Sequence, residues 1–391
     1  MTSNLTSPLS LSNSLPTLIS TYLPVSLHPF FLLSYPIYPK PTSSFLRLSS
    51  SNPPTQILYD KGHKDVYYAL SCAIIFTLLR SFTMNYIFQP FAGYVLDRNR
   101  ILEYRQKKVK MVEETKKEKK HRHHLVTRFS EQAWSMLYCT VFWTLGMFTL
   151  HSVPSPTSPE QLWGIYPYTP LPALTKFYYL AQLGWWFHQI YVINSEKRRK
   201  DHWQMFGHHI LTITLIVTSY IANFTRIGVV IHVLMDFCDI FLPLAKMLRY
   251  LSYSRSCDLT FVIFLISWLF SREIGLFLVI KTSYLDAPRF IKFKWSPSTG
   301  QYLTYETYLG FIGLVSLLWV LASIWFYMAV KVAVKVVRGQ GAEDSRSDDE
   351  EEPTEDGEGE EAVLEDVPQS VGTTTGKALN GSANGELKKR R

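Results

Sequence analysis

About seven runs of roughly 20 mostly apolar residues fill much of the sequence between residues 66 and 330. A helix of that length crosses about 30 Å of hydrocarbon, because it rises about 1.5 Å per residue. We therefore predict an all-α polytopic membrane protein, a bundle of about seven transmembrane helices. The predicted spans are 66–88, 132–150, 174–193, 206–224, 227–248, 259–280 and 308–330.

Composition argues against several other classes. The four cysteines are dispersed and form no CxxC pair, so the sequence predicts neither a zinc site nor a disulfide framework. The net charge is +8, but Lys and Arg flank the apolar runs and do not alternate with aromatic residues. That arrangement favours membrane topology over nucleic-acid binding. We expect no metal ion and no nucleic-acid partner.

Charge also predicts the orientation. Residues 98–128 carry twelve Lys and Arg and are predicted to be cytosolic, whereas the Pro-rich loop after the second span, 152–172, has none. Counting seven spans places the N-terminus in the lumen and the C-terminus in the cytosol.

Four regions follow from these patterns. Residues 1–60 form a Ser- and Pro-rich lumenal arm that we expect to be disordered, and 61–127 contain the first span and the basic linker. Residues 128–338 contain the other spans. Residues 339–391 form an acidic tail that cannot bury enough apolar surface to fold.

The two tails carry predicted modification and targeting sites. Asn4 begins an NLT sequon in the lumenal arm and is a candidate glycosylation acceptor. Ser345 and Ser347 precede a run of acidic residues that favours phosphorylation by an acidophilic kinase. Lys388 and Lys389 resemble a cytosolic dilysine retrieval signal, which predicts an endoplasmic reticulum membrane protein.

The fourth and fifth spans contain paired ionisable residues. His208 and His209 are adjacent near the start of the fourth, and Asp236 and Asp239 lie three residues apart in the fifth, on one helical face. A tight turn joins the two spans, so they are antiparallel neighbours. Measured from the cytosolic boundary, His208 is roughly 8 Å deep and Asp239 roughly 14 Å deep.

Such residues indicate chemistry. An ionisable side chain inside the membrane is a functional hypothesis by default. A carboxylate facing an imidazole fixes its tautomer and stabilises its cation, as in a catalytic dyad. We therefore predict that His208, His209, Asp236 and Asp239 are catalytic. The alternative is structural, because polar side chains also hydrogen-bond across membrane helices.

The segment around these residues, "RRKDHWQMFGHHILTITLIVTSYIANFTRIGVVIHVLMDFCDIFLPLAKMLRY", resembles the Lag1 motif of ceramide synthases, inside a TLC domain at about residues 128–338. Animal members usually have His directly before the first aspartate, whereas this chain has Met235 and is similar there to fungal members. The match includes the initial "RRKD", the two histidines and the two aspartates. The other matching residues are Ser219, Tyr220, Asn223, Arg226, Ala245 and Lys246.

The resemblance implies N-acylation of a sphingoid base by a fatty acyl-CoA, with acyl-CoA as co-substrate and no cofactor. One imidazole either takes the acyl group as an acyl-imidazole or deprotonates the amine, and both routes stay open. Arg198, Arg199 and Lys200 are predicted to attract the CoA phosphates, with a plain positive-inside anchor as the alternative. Acyl chain length, the choice of sphingoid base, dimerisation and an accessory subunit are not fixed by the sequence. Membrane lipids are the other expected partner.

Three other classes fit less well. A non-catalytic TLC protein that senses or translocates lipid should lack the paired His and Asp. A transporter with a His/Asp proton relay should have repeats and broken helices. A di-iron hydroxylase needs several His boxes, but the run at 121–124 lies in the basic linker and "HWQMFGHH" has the wrong spacing.

Overall fold

The computed structural model describes residues 22–38, 57–110, 112–151, 155, 157–164, 166–196, 201–297 and 301–338. These residues belong to one unit of the chain, Met1–Asp348, whereas the second unit, Asp349–Arg391, lies outside the described residues. The predicted sites outside the described residues are Asn4, Arg198, Arg199, Lys200, Ser345, Ser347, Lys388 and Lys389.

Helices make up nearly all of the described structure. A 3₁₀ turn at Val25–Leu27 precedes the first helix, and π-helical turns at Met84–Phe88 and Leu269–Gly275 interrupt two long ones. The α-helices are α1 (His28–Phe31), α2 (Asp65–Thr83), α3 (Gln89–Lys107), α4 (Lys116–His151), α5 (Pro159–Trp163), α6 (Ala173–Ser195), α7 (His202–Ile221), α8 (Thr225–Cys238), α9 (Phe241–Tyr250), α10 (Ser254–Trp268), α11 (Leu276–Leu285), α12 (Ala287–Phe290) and α13 (Tyr305–Val337).

The predicted all-α polytopic fold class is confirmed. Five helical segments are long and apolar enough to cross a membrane: Asp65–Lys107, Lys116–His151, Thr225–Tyr250, Ser254–Phe290 and Tyr305–Val336. The third and fourth predicted spans are also continuous helices, α6 and α7, but they fall short of the other five in apolar composition. Both contain buried polar side chains, among them Lys176 and Gln182 in α6 and the two histidines in α7.

Contacts between helix ends show in which direction each helix runs relative to its neighbours. At one end, Lys61 Nζ, just before α2, donates to Asn223 Oδ1, just after α7, over 2.7 Å. At the other end, Arg80 in the last turn of α2 forms a 2.5 Å ion pair with Glu196, just after α6. The first contact shows that α2 is antiparallel to α7, and the second shows that α2 is parallel to α6, as expected for the first, fourth and third passes of one bundle.

Small residues allow α2 and α6 to pack closely. A Cβ added at Gly184 would collide with the Cys72 side chain and the Ala69 backbone. Close approach through small residues is typical of helix pairs in membranes. Aromatic stacking continues the core on the α4 side, where the rings of Tyr138 and Trp185 are 3.4 Å apart and nearly parallel.

Part of the segment that we expected to be a disordered arm is structured. Strands β1 (Pro36–Ile37) and β2 (Leu58–Tyr59) pair antiparallel, and β2 pairs with β3 (Leu171–Pro172). Buried Lys176 donates to Ser34 O and Asp60 O and forms a 2.8 Å ion pair with Asp65. This cation attaches the segment to the bundle. A second small sheet pairs β4 (Lys294–Ser296) with β5 (Gln301–Leu303).

The fifth predicted span is not one continuous helix, in contrast to the expectation. Helix α8 ends at Cys238, Asp239 caps it, and α9 begins at Phe241. Pro243 explains the break, because it has no N–H to donate to the carbonyl of Asp239 four residues earlier. Within α9 the same proline lies in the first turn, where an N–H is not needed.

Candidate active site

A cavity lies between α6, α7, α8, the second π turn and α13. His208, Asp236 and Asp239 all line it, so the fold brings together three of the four predicted catalytic residues. An adjacent apolar cavity shares Ile231 and Phe311 with it. The arrangement is a cavity lined by both ionisable groups and apolar walls, as is usual for small-molecule sites.

His208 is buried between two tryptophans. Its ring lies edge-to-face at 5.5 Å from Trp186 and 5.2 Å from Trp325, measured between ring centroids. Its Nδ1 is buried and has no hydrogen-bond partner among the described residues. Of the two histidines, His208 is the one that lines the cavity. Packing fixes the position of this ring and leaves its Nδ1 without a hydrogen-bond partner among the described residues.

His209 contacts His208 but does not line the cavity. Its Nδ1 is 2.6 Å from the backbone oxygen of Met205, one turn earlier in α7. A carbonyl oxygen only accepts, so Nδ1 carries the hydrogen and Nε2 carries the lone pair. The ring contacts Trp186 at 5.2 Å and His208 at 5.8 Å. A backbone carbonyl, and not an aspartate, therefore sets the tautomer of His209.

Asp236 is held by an amide. Gln182 Nε2, from α6, donates to Asp236 Oδ2 over 2.9 Å, and Tyr138 from α4 donates its hydroxyl to Gln182 Oε1 over 2.6 Å. All three side chains are buried. Within the described residues, neither Asp236 nor Asp239 hydrogen-bonds an imidazole, so the predicted direct carboxylate–imidazole contact is not formed.

Asp239 pairs with an arginine from the π turn. Arg272 is 95 % buried and donates to Asp239 Oδ2 at 2.5 Å and to Met235 O at 2.8 Å. Its guanidinium also lies 4.4 Å from the ring centroid of Trp268. The Met235 carbonyl lies at the break after α8, so the same cation satisfies both a carboxylate and a backbone acceptor.

The sequence carried a signal for Arg272 that our predictions did not use. Arg272 and Glu273 are charged residues inside the sixth apolar run, and charge in such a run indicates function. The π turn directs the two side chains to different partners. Arg272 joins the cavity, while Glu273 accepts from Ser323 of α13 over 2.7 Å. Nothing in the sequence pairs Gln182 with Asp236.

Further along the cavity lies a second set of polar groups. The hydroxyls of Tyr179 and Ser219 are 2.5 Å apart, and His232 from α8 packs edge-to-face on Tyr179. All three residues line the cavity. Gly228 makes this packing feasible, because a Cβ there would overlap the Tyr179 hydroxyl. Our predictions included no histidine beyond His208 and His209.

Apolar helices around a cavity lined by both ionisable and apolar side chains are the arrangement expected of an integral membrane enzyme. The TLC domain family profile matches residues 128–331. The chain is 38 % identical over 298 residues to sphingosine N-acyltransferase lag1 of Schizosaccharomyces pombe, covering 76 % of this chain and 70 % of that protein. It is 34 % identical over 380 residues to a ceramide synthase of Gibberella moniliformis, covering 89 % and 83 %.

A ceramide synthase of Saccharomyces cerevisiae is 28 % identical over 307 residues, covering 78 % of this chain and 69 % of that protein. The chain belongs to the TLC-domain family of ceramide synthases, which are acyltransferases, and is of the fungal Lag1 type. The predicted resemblance is thereby confirmed.

Proposed function

We propose that this protein transfers a fatty acyl group from acyl-CoA to the amine of a sphingoid base, dihydrosphingosine or phytosphingosine, and so forms a ceramide. The observation that carries the proposal is the His208 imidazole, which lines a cavity with apolar walls and has a nitrogen without a partner among the described residues. The relatives named sphingosine N-acyltransferase or ceramide synthase support the same reaction.

The reaction exchanges a thioester for an amide. The amine nitrogen attacks the acyl carbonyl carbon, the carbon–sulfur bond breaks, and the CoA thiolate leaves. The amine loses a proton, and CoA receives one to leave as a thiol. An imidazole in the cavity serves this transfer either by removing the amine proton directly or by accepting the acyl group first, as an acyl-imidazole.

The residues around His208 have distinct proposed roles. His208 acts on the substrate, and His209 supports its position through the shared contact with Trp186. Asp236, held by Gln182, and Asp239, held by Arg272, place carboxyl groups beside the reacting atoms. They stabilise positive charge that develops on the amine or the imidazole. No cofactor enters the reaction, since the thioester is already activated.

The proposed binding of acyl-CoA at the cytosolic side is based on the sequence alone. Arg198, Arg199 and Lys200, outside the described residues, are proposed to attract the CoA phosphates from the cytosolic side. The endoplasmic reticulum membrane, with a cytosolic C-terminus, is the proposed location because of the predicted dilysine signal. Neutralising the basic triplet should raise KM for acyl-CoA and leave kcat nearly unchanged.

The decisive experiment is an acyl-transfer assay on the purified full-length protein, with a panel of acyl-CoAs and both sphingoid bases. We expect amide formation by the wild type and a loss of at least about 100-fold in His208→Ala. His209→Ala and Asp236→Asn should also lose most of their turnover. Thr214→Ala, at an exposed position of the same helix, is the matched control and should stay active. Near-normal turnover in His208→Ala would refute its role.

Intact-protein mass spectrometry separates the two chemical routes. Incubation with acyl-CoA and no sphingoid base should give one fatty acyl adduct if an acyl-imidazole forms, and the adduct should be absent in His208→Ala. An active enzyme that shows no adduct acts by direct deprotonation of the amine.

A further inference from the structure

The imidazole of His232 is a polar group that the proposed reaction does not use. His232 is 92 % buried in α8 and lines the cavity, and none of the described residues hydrogen-bonds it. Its ring lies edge-to-face on the rings of Tyr178 and Tyr179, at about 6 Å between centroids. A buried polar group without a partner is unfavourable, so a ligand group or a water molecule in the cavity would complete its bonding.

Two hydroxyls lie at the same level of the cavity. Ser219 Oγ is 3.0 Å from the backbone oxygen of Ile216, a group that only accepts. The serine hydrogen is therefore used there, and the 2.5 Å contact between Tyr179 and Ser219 takes the tyrosine hydrogen. What this pair offers to a ligand is the acceptor lone pairs of the Tyr179 oxygen.

Together these groups match one ligand group. A neutral imidazole donates through one nitrogen, and the Tyr179 oxygen accepts, so the cavity presents a donor and an acceptor side by side. A hydroxyl satisfies both, since it accepts from the imidazole and donates to the tyrosine oxygen. A methylene group satisfies neither. The walls next to these groups are apolar, with Leu215, Ile216 and Ile231.

The position along the cavity places this hydroxyl close to the reacting bond. His232 precedes Asp236 by four residues in the same helix, about 6 Å along the axis and on the same face. A lipid whose carbonyl or amine lies beside Asp236 therefore brings the next few carbons of its chain to His232.

We propose that His232 and the Tyr179–Ser219 pair form a specificity site for a hydroxyl group on the lipid substrate, within a few carbons of the new amide bond. The inference rests on the proposed function. Every sphingoid base carries hydroxyls on the two carbons next to its amine-bearing carbon, so we assign the site to a further hydroxyl, and two substrates carry one. Phytosphingosine has one that dihydrosphingosine lacks, and an α-hydroxyacyl-CoA has one that the ordinary acyl-CoA lacks. The hydroxylated partner is preferred in one of these two pairs.

The test uses the purified full-length protein and measures kcat/KM for both members of each pair. His232→Phe keeps a ring for the edge-to-face contacts and removes the hydrogen bonds, whereas His232→Gln keeps a donor and an acceptor and removes the ring. In one pair, the wild type should prefer the hydroxylated substrate. His232→Phe should lower that preference by about 3- to 10-fold, and His232→Gln should retain much of it. The pair that responds identifies the source of the hydroxyl.

Other results overturn the inference. If His232→Phe leaves both preferences unchanged, or if His232→Gln alone loses the preference, the histidine is a packing residue. If His232→Phe does not fold, Ser219→Ala tests the same site, because it frees the Tyr179 hydrogen and should also change the preference. A wild type that acylates all substrates without preference refutes the inference alone. A wild type that acylates none refutes the proposed function.

Discussion

The Arg272 guanidinium lies 2.5 Å from Asp239 Oδ2 and 2.8 Å from the Met235 backbone oxygen. One side chain from the π turn thus neutralises a predicted catalytic carboxylate and bonds the backbone where α8 ends. The side chain of Asp239, which lines the cavity, is 38 % exposed, whereas that of Arg272 is 6 % exposed. The carboxylate therefore remains accessible to a substrate while the cation behind it is enclosed.

Replacing Arg272 should affect both stability and turnover. Arg272→Met leaves Asp239 and the Met235 carbonyl without their donor, so we expect a loss of about 2 kcal/mol in the free energy of unfolding and a fall in kcat of more than about 10-fold. Thermal unfolding and acyl transfer of the purified variant measure the two effects. Arg272→Lys keeps the charge but not the fork geometry, and should be intermediate.

The double variant Arg272→Met with Asp239→Asn separates the two causes. It removes the unpaired charge, so stability should recover in part while turnover stays low. Wild-type turnover in Arg272→Met would show that the ion pair has no part in the reaction.

We expect Gln182 to affect turnover by holding the Asp236 carboxyl group in position. Gln182→Leu removes the donor at 2.9 Å from Asp236 Oδ2 and leaves the Tyr138 hydroxyl without its acceptor. Because the carboxyl group is then free to reorient, we expect kcat to fall by about 10-fold with little change in KM. Steady-state kinetics of the variant test this. Asn194→Ala, at an exposed amide of the same helix, is the control and should behave as the wild type.

Lys61 should make stability depend on pH. Burial lowers the pKa of Lys61 from 10.5 to about 7. From about pH 7 to about 10 the unfolded chain therefore binds a proton that the folded protein does not, so this residue makes stability rise with pH across that interval. Lys61→Met should remove the rise, as seen by thermal unfolding of both proteins in detergent over the same range.

Lys64, an exposed lysine of the same segment, provides the comparison. Lys64→Met should keep the pH dependence of the wild type. An equal slope for the wild type and Lys61→Met would mean that Lys61 is not desolvated in the folded protein.

Glycosylation reports the predicted orientation. Asn4 should be the modified sequon on expression in a eukaryotic cell, because the arm is predicted to be lumenal. Asn223, also in a sequon, is 95 % buried and accepts from Lys61 over 2.7 Å, so we expect no glycan there. Endoglycosidase treatment of the wild type and Asn4→Gln measures this. A glycan on Asn380 would place the C-terminus in the lumen and reverse the proposed orientation.

The sequence by itself determined the class of protein and its most conspicuous candidate for a reactive group. Apolar length is a local property, since each run must cover the hydrocarbon whatever its neighbours do, and the five helices long and apolar enough to cross a membrane all coincide with predicted spans. His208 and His209 were visible because an ionisable pair in an apolar run is unusual. Pro243 also marked the break after Asp239 in the sequence, although the prediction treated that span as continuous.

The tertiary structure alone decided which partner each site residue has. Asp236 faces Gln182 of α6, and Asp239 faces Arg272 of the π turn, across 54 and 33 residues of sequence. Those pairings depend on how each helix is rotated about its axis, and packing of the whole bundle sets that rotation. The same holds for His232. Its position on the same face of α8 as Asp236 follows from the sequence, but the hydroxyls beside it come from two other helices.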